Sequence, residues 1–384
     1  MELRNKTILI LSPQMWGTMF LSKHHYACSL AKRGNRIYFL NPPEYNKNLL
    51  KTQIKTEEID GFEYLKVIHH SPGFSNLFYF HSPFLYRFLM QRHVKKILQV
   101  IQEPVDIVWS FDIGNLYPLR FFSRSKMRIF HPVDEPLTTN AIAAADHSDI
   151  IISVTKEILN KYTHLSVPRY LISHGVSDHF FKLPISNTVH KQLQVGFSGN
   201  LTRQDIDRNT LLRLIKDYPE IAFHFWGVYD SRKSNISGGE DADTSAFIQQ
   251  LHDMKNVTLH GAVSTEILVG GYSEMDLFLI CYDIQKDQSK GTNYHKVMEF
   301  LSAGKPIVSN NITAFHETQD LVYMSPERDS NKSLPELFRY VITNLNRLNS
   351  DALQTKRRAY AYDNLYDKQI DRIEAILQGG LVQA

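Results

Sequence analysis

The feature that most constrains this chain is an alternation of short apolar runs with helical patterns, carried through twice. Thr7 to Leu11 (TILIL) is followed by the loop SPQMWGTM and a helical stretch, HHYACSLAKRG, closed by Gly34. RIYFL (36–40), DIVWSF (106–111), MRIFHPVD (127–134), a run at 149–154 and RYLISHGV (169–176) read as further strands. Residues 84–102 (FLYRFLMQRHVKKILQVIQ) and TKEILNKYT read as helices. Short apolar runs bounded by polar turns suit strands buried on both faces. Their alternation with helices implies a parallel sheet covered on both sides. Residues 178–193, with Pro184, break the pattern and read as a linker. It restarts at QVGFSG (194–199) and runs through IAFHFWG (221–227), NVTLHGA, DLFLICY (276–282) and KPIVSNN, with a polar loop over 230–245. The expected organisation is α/β: two doubly wound, Rossmann-like domains, 1–180 and 190–355, and a charged C-terminal helix over 356–384 packing back toward the first domain. Open sheets of this kind bind ligands beyond the carboxyl ends of their strands, so two in tandem would face a cleft.

Composition narrows the function classes. The 384 residues carry 43 Lys and Arg against 40 Asp and Glu, a net charge of +3, which does not indicate a dedicated nucleic-acid binder. The two cysteines, Cys28 and Cys281, exclude a disulfide framework or a cysteine zinc site. The N-terminus reads as a first strand rather than a signal peptide, and no segment has transmembrane length. The expected location is the cytoplasm, with peripheral contact at the inner face of a membrane left open.

The stretch from Gly291 to Asn311 (GTNYHKVMEFLSAGKPIVSNN) is the most specific motif. A Gly- and Asn-bearing loop ahead of a helix offers backbone N–H groups and the positive end of a helix dipole, which suits a phosphate. Glu299, within that helix, would accept hydrogen bonds from two ribose hydroxyls. The same pattern also fits an ordinary helix–strand unit with a surface glutamate.

The block NYHKVMEFLSAGKPIVS (293–309) resembles the donor-site signature of GT-B fold glycosyltransferases, the class that transfers sugars from nucleotide-sugar donors. VGFSGNL (195–201), NVTLHGAV with EMDLFLICYD, and ADHSDIIISVTKEI with YLISHGVSDHFF resemble other segments of that class in order and spacing. Bacterial enzymes of surface-polysaccharide and teichuronic-acid type are the most similar. The resemblance implies an acceptor domain followed by a donor domain. It places Glu299 on the donor ribose, Thr292, Asn293, Tyr294 and His295 against the diphosphate or sugar, and Gly199 and Asn200 at a close backbone approach to phosphate. His131 would face the transferred sugar, and Gly17 would lie near donor phosphate or acceptor. Tyr282, at a strand end beside the donor loop, is a further candidate.

Two departures stand out. Many relatives carry a second glutamate eight residues before the first, where this chain has Gly291. They also carry an arginine and a lysine where this chain has Asn200 and Ile206. The leaving diphosphate still needs a cation. Arg203 is the preferred candidate and Lys296 the second, with Arg208 nearby. The expected chemistry needs no metal or cofactor. Its partners are a UDP, GDP or dTDP sugar and a glycan or lipid-linked acceptor. If configuration is inverted, Asp134 or His131 would be the general base; a packed structural histidine is the other reading of His131. Asp241 and Asp243 form a D-x-D in a loop, out of context for a metal motif. Residues 74–96 mix aromatics with Arg87, Arg92, Lys95 and Lys96, which fits a core helix with a basic outer face better than a lipid-facing surface. A GT-B-fold epimerase and a non-catalytic nucleotide-sugar-binding protein are the alternatives.

Overall fold

The computed structural model describes residues 1–17, 19–45, 51–185, 190–230, 241–287, 289–318 and 320–379. Most of the polar loop expected over 230–245 lies outside the described residues. The chain divides into two compact units, Met1–Ser173 with the chain from Gln369 onward, and His174–Lys368.

The first unit holds strands β1 (Thr7–Leu11), β2 (Arg36–Leu40), β3 (Gln53–Glu58), β4 (Leu65–Ser71), β5 (Ile107–Ser110), β6 (Met127–Phe130), β7 (Ile150–Ser153) and β8 (Arg169–Leu171). Its helices are α1 (Ser22–Lys32), α2 (Leu77–His81), α3 (Pro83–Ile101), α4 (Thr139–Ala143) and α5 (Lys156–Asn160). The strands pair in the order β3-β4-β2-β1-β5-β6-β7-β8, parallel except for β3, which runs antiparallel to β4. The order reverses direction at β1, whose Ile8 faces Ile37 on one side and Ile107 on the other. Strand residues Leu9, Leu11, Val108, Phe130 and Ile151 pack against Tyr86, Met90, Val94 and Ile97 of α3. Those α3 positions recur at helical spacing and form one buried face.

The second unit holds β9 (Gln194–Ser198), β10 (Ala222–Trp226), β11 (Val257–Gly261), β12 (Leu277–Ile280), β13 (Ile307–Ser309) and β14 (Tyr323–Met324). Helices α6 (Arg208–Asp217), α7 (Ala242–Asp253), α8 (Thr265–Ser273), α9 (Lys296–Ser302), α10 (Leu334–Thr343), α11 (Leu345–Leu348) and α12 (Asp351–Asp363) follow in sequence among them, and α13 (Tyr366–Leu377) starts in this unit and runs on into the first. Its strand order, β11-β10-β9-β12-β13-β14, is wholly parallel and reverses between β9 and β12. Cap residues start several helices. Asp207, Asp241 and Ser264 accept from the N–H groups of Thr210, Thr244 and Ile267 in their respective first turns.

Three expectations change. The linker expected over 178–193 begins inside the second unit, because Val176 and Phe180 are buried in its core. The β3–β4 pair was not expected: β3 (QIKTEE) is an edge strand, largely exposed, and so lacks an apolar alternation. The single C-terminal helix is two helices. Between them Val176 N–H donates to Asn364 O, and Tyr366 N–H to Val176 O, which draws Leu365 into an extended bridge. Asp241 of the D-x-D ends the polar loop, and its side chain caps α7.

Candidate functional site

In a doubly wound sheet the loops leaving two neighbouring strands part in opposite directions where the strand order reverses, and the gap between them takes a ligand. In the second unit that gap lies between β9 and β12. The loop after β9 carries Gly199, Asn200, Arg203 and Asp205. The segment after β12 carries Tyr282, Asp287 and the run into α9.

Lys296, the first residue of α9, is buried, with 8% exposure. Its Nζ donates to Ser198 O at 2.7 Å and contacts the Tyr282 hydroxyl closely. The ammonium also lies 4.9 Å from the Tyr282 ring centroid and 5.9 Å from that of Phe197. A Cβ on Gly199 would stand 2.6 Å from this Nζ and 2.9 Å from the Tyr282 hydroxyl, and a Cβ on Gly227 would stand 1.9 Å from Gly199 O. The two glycines are what lets the backbone pass this close to the ammonium.

Glu299 lies one turn along α9, on the face that also carries Lys296. It is partly buried, and its Oε2 accepts from the Tyr272 hydroxyl at 3.5 Å. Burial pushes its carboxyl up to about 7, with Lys296 and the Tyr272 hydrogen bond pulling the other way. The same burial, with Glu299 beside it, holds the Tyr272 phenol well above its ordinary range.

The loop from Tyr282 to His295 is organised by Asp287, which is 1% exposed. Its carboxylate accepts from Ser289 N–H (3.0 Å), Ser289 Oγ (2.6 Å), Gly291 N–H (3.0 Å) and the Tyr294 hydroxyl (2.6 Å). Asn310 adds a second anchor: its Oδ1 accepts from Tyr282 N–H at 2.9 Å and its Nδ2 donates to the Tyr294 hydroxyl at 3.3 Å. Gly291, at φ +65°, fits because a Cβ there would stand 2.7 Å from Asn311 O. Thr292 and Asn293 are buried; Thr292 N–H donates to Ser289 O and Thr292 O accepts from Ala314 N–H. The N–H groups of Gly291 and Thr292, expected to face a ligand, are therefore used within the loop. His295 stands edge-on to His174 with centroids 6.2 Å apart.

Arg203 differs from its expected state. It forms a two-point pair with Asp205, its Nε at 2.9 and 3.0 Å from the carboxylate oxygens and its second contact shorter, and lies 3.8 Å from Asp287. Two carboxylates already offset this guanidinium, so the less favoured candidate, Lys296, is the better placed cation. Asn200 closes the β9 turn, its Oδ1 accepting from Thr202 N–H at 3.0 Å and Thr202 Oγ1 at 2.8 Å. Arg208 is held at 2.8 Å by Thr244 Oγ1 and lies over the Phe247 ring.

The remaining candidates belong to the first unit. Gly17 lies in the loop after β1, where Trp16 N–H donates to Asn41 Oδ1 at 2.8 Å. His24 pins that loop: its Nδ1 accepts from Leu21 N–H, so its Nε2 donates to Met15 O at 3.1 Å. Burial and the neighbouring Lys23 lower it to about 4, which keeps it neutral. His131, just past β6, is 1% exposed and stacked on Phe111 and Trp109. Trp109 Nε1 can only donate, and it reaches His131 Nδ1 at 3.2 Å. The neutral ring therefore carries its proton on Nε2. It can donate there, while Nδ1 is engaged by Trp109, a state that suits the packed structural reading of His131 better than the general-base one. Asp134 is exposed and near Lys23, a buried lysine on α1 that burial lowers to about 8 against the pull of Asp134.

Asp287, Asp205 and Tyr272 were not picked out from sequence. The first had a local signal, Asp-x-Ser-x-Gly over 287–291, in which an aspartate caps its own turn. Asp205 stands two residues from Arg203, a spacing that by itself does not specify a pair, and Tyr272 acts through Glu299, remote in sequence. Among the described residues, no group of three or more His, Cys, Asp or Glu is placed to hold a metal ion.

No protein-family model matches the sequence, and no curated protein matches it. Solved structures do match. Sucrose-phosphate synthase from Thermosynechococcus elongatus aligns with TM-score 0.73 and 12% identity over 97% of this chain and 98% of that one. Anabaena HepE, in complex with UDP and glucose, aligns with TM-score 0.66 and 15% identity over 98% and 100%. An Escherichia coli structure described as trehalose-6-phosphate bound with UDP-2-fluoro glucose aligns with TM-score 0.66 and 11% identity over 97% and 99%. A likeness that spans nearly the whole of each chain, on two parallel sheets of Rossmann-like order, shows that this chain has the GT-B fold.

Proposed function

We propose that the chain is a glycosyltransferase that takes a sugar from a nucleoside-diphosphate donor bound at the β9/β12 gap of the second unit. The observation that carries this reading is the placement of Lys296 directly under the Gly199 turn, with Glu299 one turn further along the same helix. On this reading Glu299 accepts from the ribose hydroxyls, and Lys296 and the backbone at Gly199 meet the diphosphate. Breaking the sugar–phosphate bond leaves negative charge on the diphosphate, and the Lys296 ammonium, in a site of low polarity, lowers its energy. A fixed cation there fits chemistry that needs no metal. Asp134, as an exposed carboxylate, is the better candidate for a base that accepts the acceptor's proton. The similar structures that hold UDP with glucose and UDP-2-fluoro glucose support a UDP-sugar donor. Cell-surface polysaccharide assembly, with a glycan or lipid-linked acceptor, is the wider role we assign.

A second reading is a nucleotide-sugar-binding protein without turnover, favoured by the neutralised Arg203. One experiment separates them. The purified chain is incubated with UDP, GDP and dTDP sugars, with and without glycan acceptors, and release of the nucleoside diphosphate is followed. Release that depends on an acceptor and persists in EDTA supports the transferase. Binding of a donor with no release under any pairing supports the second reading.

A further inference from the structure

We propose that the α2–α3 face of the first unit docks on an anionic lipid surface. Most of α3 behaves as expected of a core helix, with Tyr86, Met90, His93, Val94 and Ile97 buried. The outer side is not the basic face a solvated helix would carry. Its first half is aromatic and bare: Phe84 is 85% exposed and Phe88 44%, and Phe80 of α2 beside them is 70% exposed. Leu77 and Leu85 extend the same patch. The second half is cationic. At helical spacing, Phe84, Phe88, Arg92 and Lys95 share one side, with Lys96 at its margin. The Arg92 guanidinium lies 4.2 Å from the Phe88 ring centroid, so the charge and the apolar patch meet. No acidic residue occurs between Glu63 and Glu103.

Scattered exposed apolar side chains are ordinary on a protein surface; five on one short helical corner are not. A protein partner would have to complement bulky apolar groups and a run of cations in one patch. An anionic bilayer does both: Phe and Leu enter the boundary of the acyl chains while Arg92, Lys95 and Lys96 stay at the level of the lipid phosphates. Among the described residues no helix is long and apolar enough to cross a membrane, so the contact would be one of surface attachment.

The test is flotation of the full-length protein with vesicles of phosphatidylcholine mixed with phosphatidylglycerol, and with vesicles of phosphatidylcholine alone. The wild type should float with the mixed vesicles, less with the neutral ones, and less as salt rises. Arg92→Gln, Lys95→Gln and Lys96→Gln should each weaken partitioning by about fivefold at low salt. Phe80→Ser with Phe84→Ser should weaken it by at least about tenfold at every salt concentration. These side chains lie outside the core, so the thermal midpoint of each variant should stay at the wild-type value. Wild type that fails to float with mixed vesicles overturns the proposal, as do variants that float as well as wild type. Self-association that the Phe variants abolish, without vesicle binding, assigns the face to a second copy of the chain and also overturns it. Nucleotide binding in the second unit is read separately and does not bear on the result.

Discussion

At the residue scale the account rests on Lys296 and Glu299, which the same helix holds three residues apart. Lys296→Met keeps the length of the side chain and removes its charge. Loss of one charge-assisted contact to phosphate costs about 1.5–3 kcal/mol. Affinity for a nucleoside diphosphate should therefore fall roughly tenfold to a hundredfold, with little change in stability. Gly199→Ala should do comparable damage by another route, because its Cβ would displace the ammonium it touches. Glu299 adds a pH signature. Its carboxyl is raised to about 7 by burial, so at pH 6 the free protein holds a proton there that a ribose-bound carboxylate would release. Binding should tighten as pH rises from 5.5 to 8. Calorimetry in buffers of different ionisation enthalpy should show net proton release near pH 6, lost in Glu299→Gln. The same shift bears on folding with the opposite sign. The native state binds a proton that the unfolded chain gives up above about 4.5, so this group's contribution to stability declines as pH rises from about 4.5 to 7.

At the element scale the donor loop is a structure built around one carboxylate. Asp287→Ala leaves the Tyr294 hydroxyl and the Gly291 N–H without their acceptor, so a loss of about 3 kcal/mol in stability is expected. Arg203 should also become more mobile. The check is a denaturant midpoint together with hydrogen exchange over 287–296. Most core strands and helices of both units were legible in the sequence, because buried parallel strands such as β1, β7 and β12 are short unbroken apolar runs; β4 was missed, its run LKVI ending in the polar residues HHS. β3 was not legible either, because an exposed edge strand has no apolar pattern to read. The site was legible in part. Lys296, Glu299, Tyr282 and Gly199 lie on a motif or at a strand end, and the structure brings them together. The engagement of Arg203 by Asp205 could not be read from the chain, because a flexible side chain's partner is decided by folded geometry. The same holds for His131, whose proton position follows from Trp109 on a neighbouring strand.

At the scale of the whole molecule, two units with separate cores should respond separately to their surroundings. The first buries a directed histidine chain. His70 Nε2 donates to Asn41 O at 3.0 Å, so its Nδ1 accepts from His93 Nε2 at 2.8 Å. Burial lowers His70 to about 3 and His93 to about 4, as it does His24. The unfolded chain takes up protons at these sites below about 6.5 while the native state does not, so stability is lost as pH falls from about 6.5 toward 4. Hydrogen exchange should show β2, β4 and α3 opening first on acidification. The central claim, however, concerns the second unit. It is tested most directly by titrating UDP, GDP and dTDP into the wild type and Lys296→Met by calorimetry at pH 8. The account predicts micromolar binding of one nucleotide by the wild type, weakened at least about tenfold in the variant. Equal affinity in the two proteins would contradict it and move the donor site away from the β9/β12 gap.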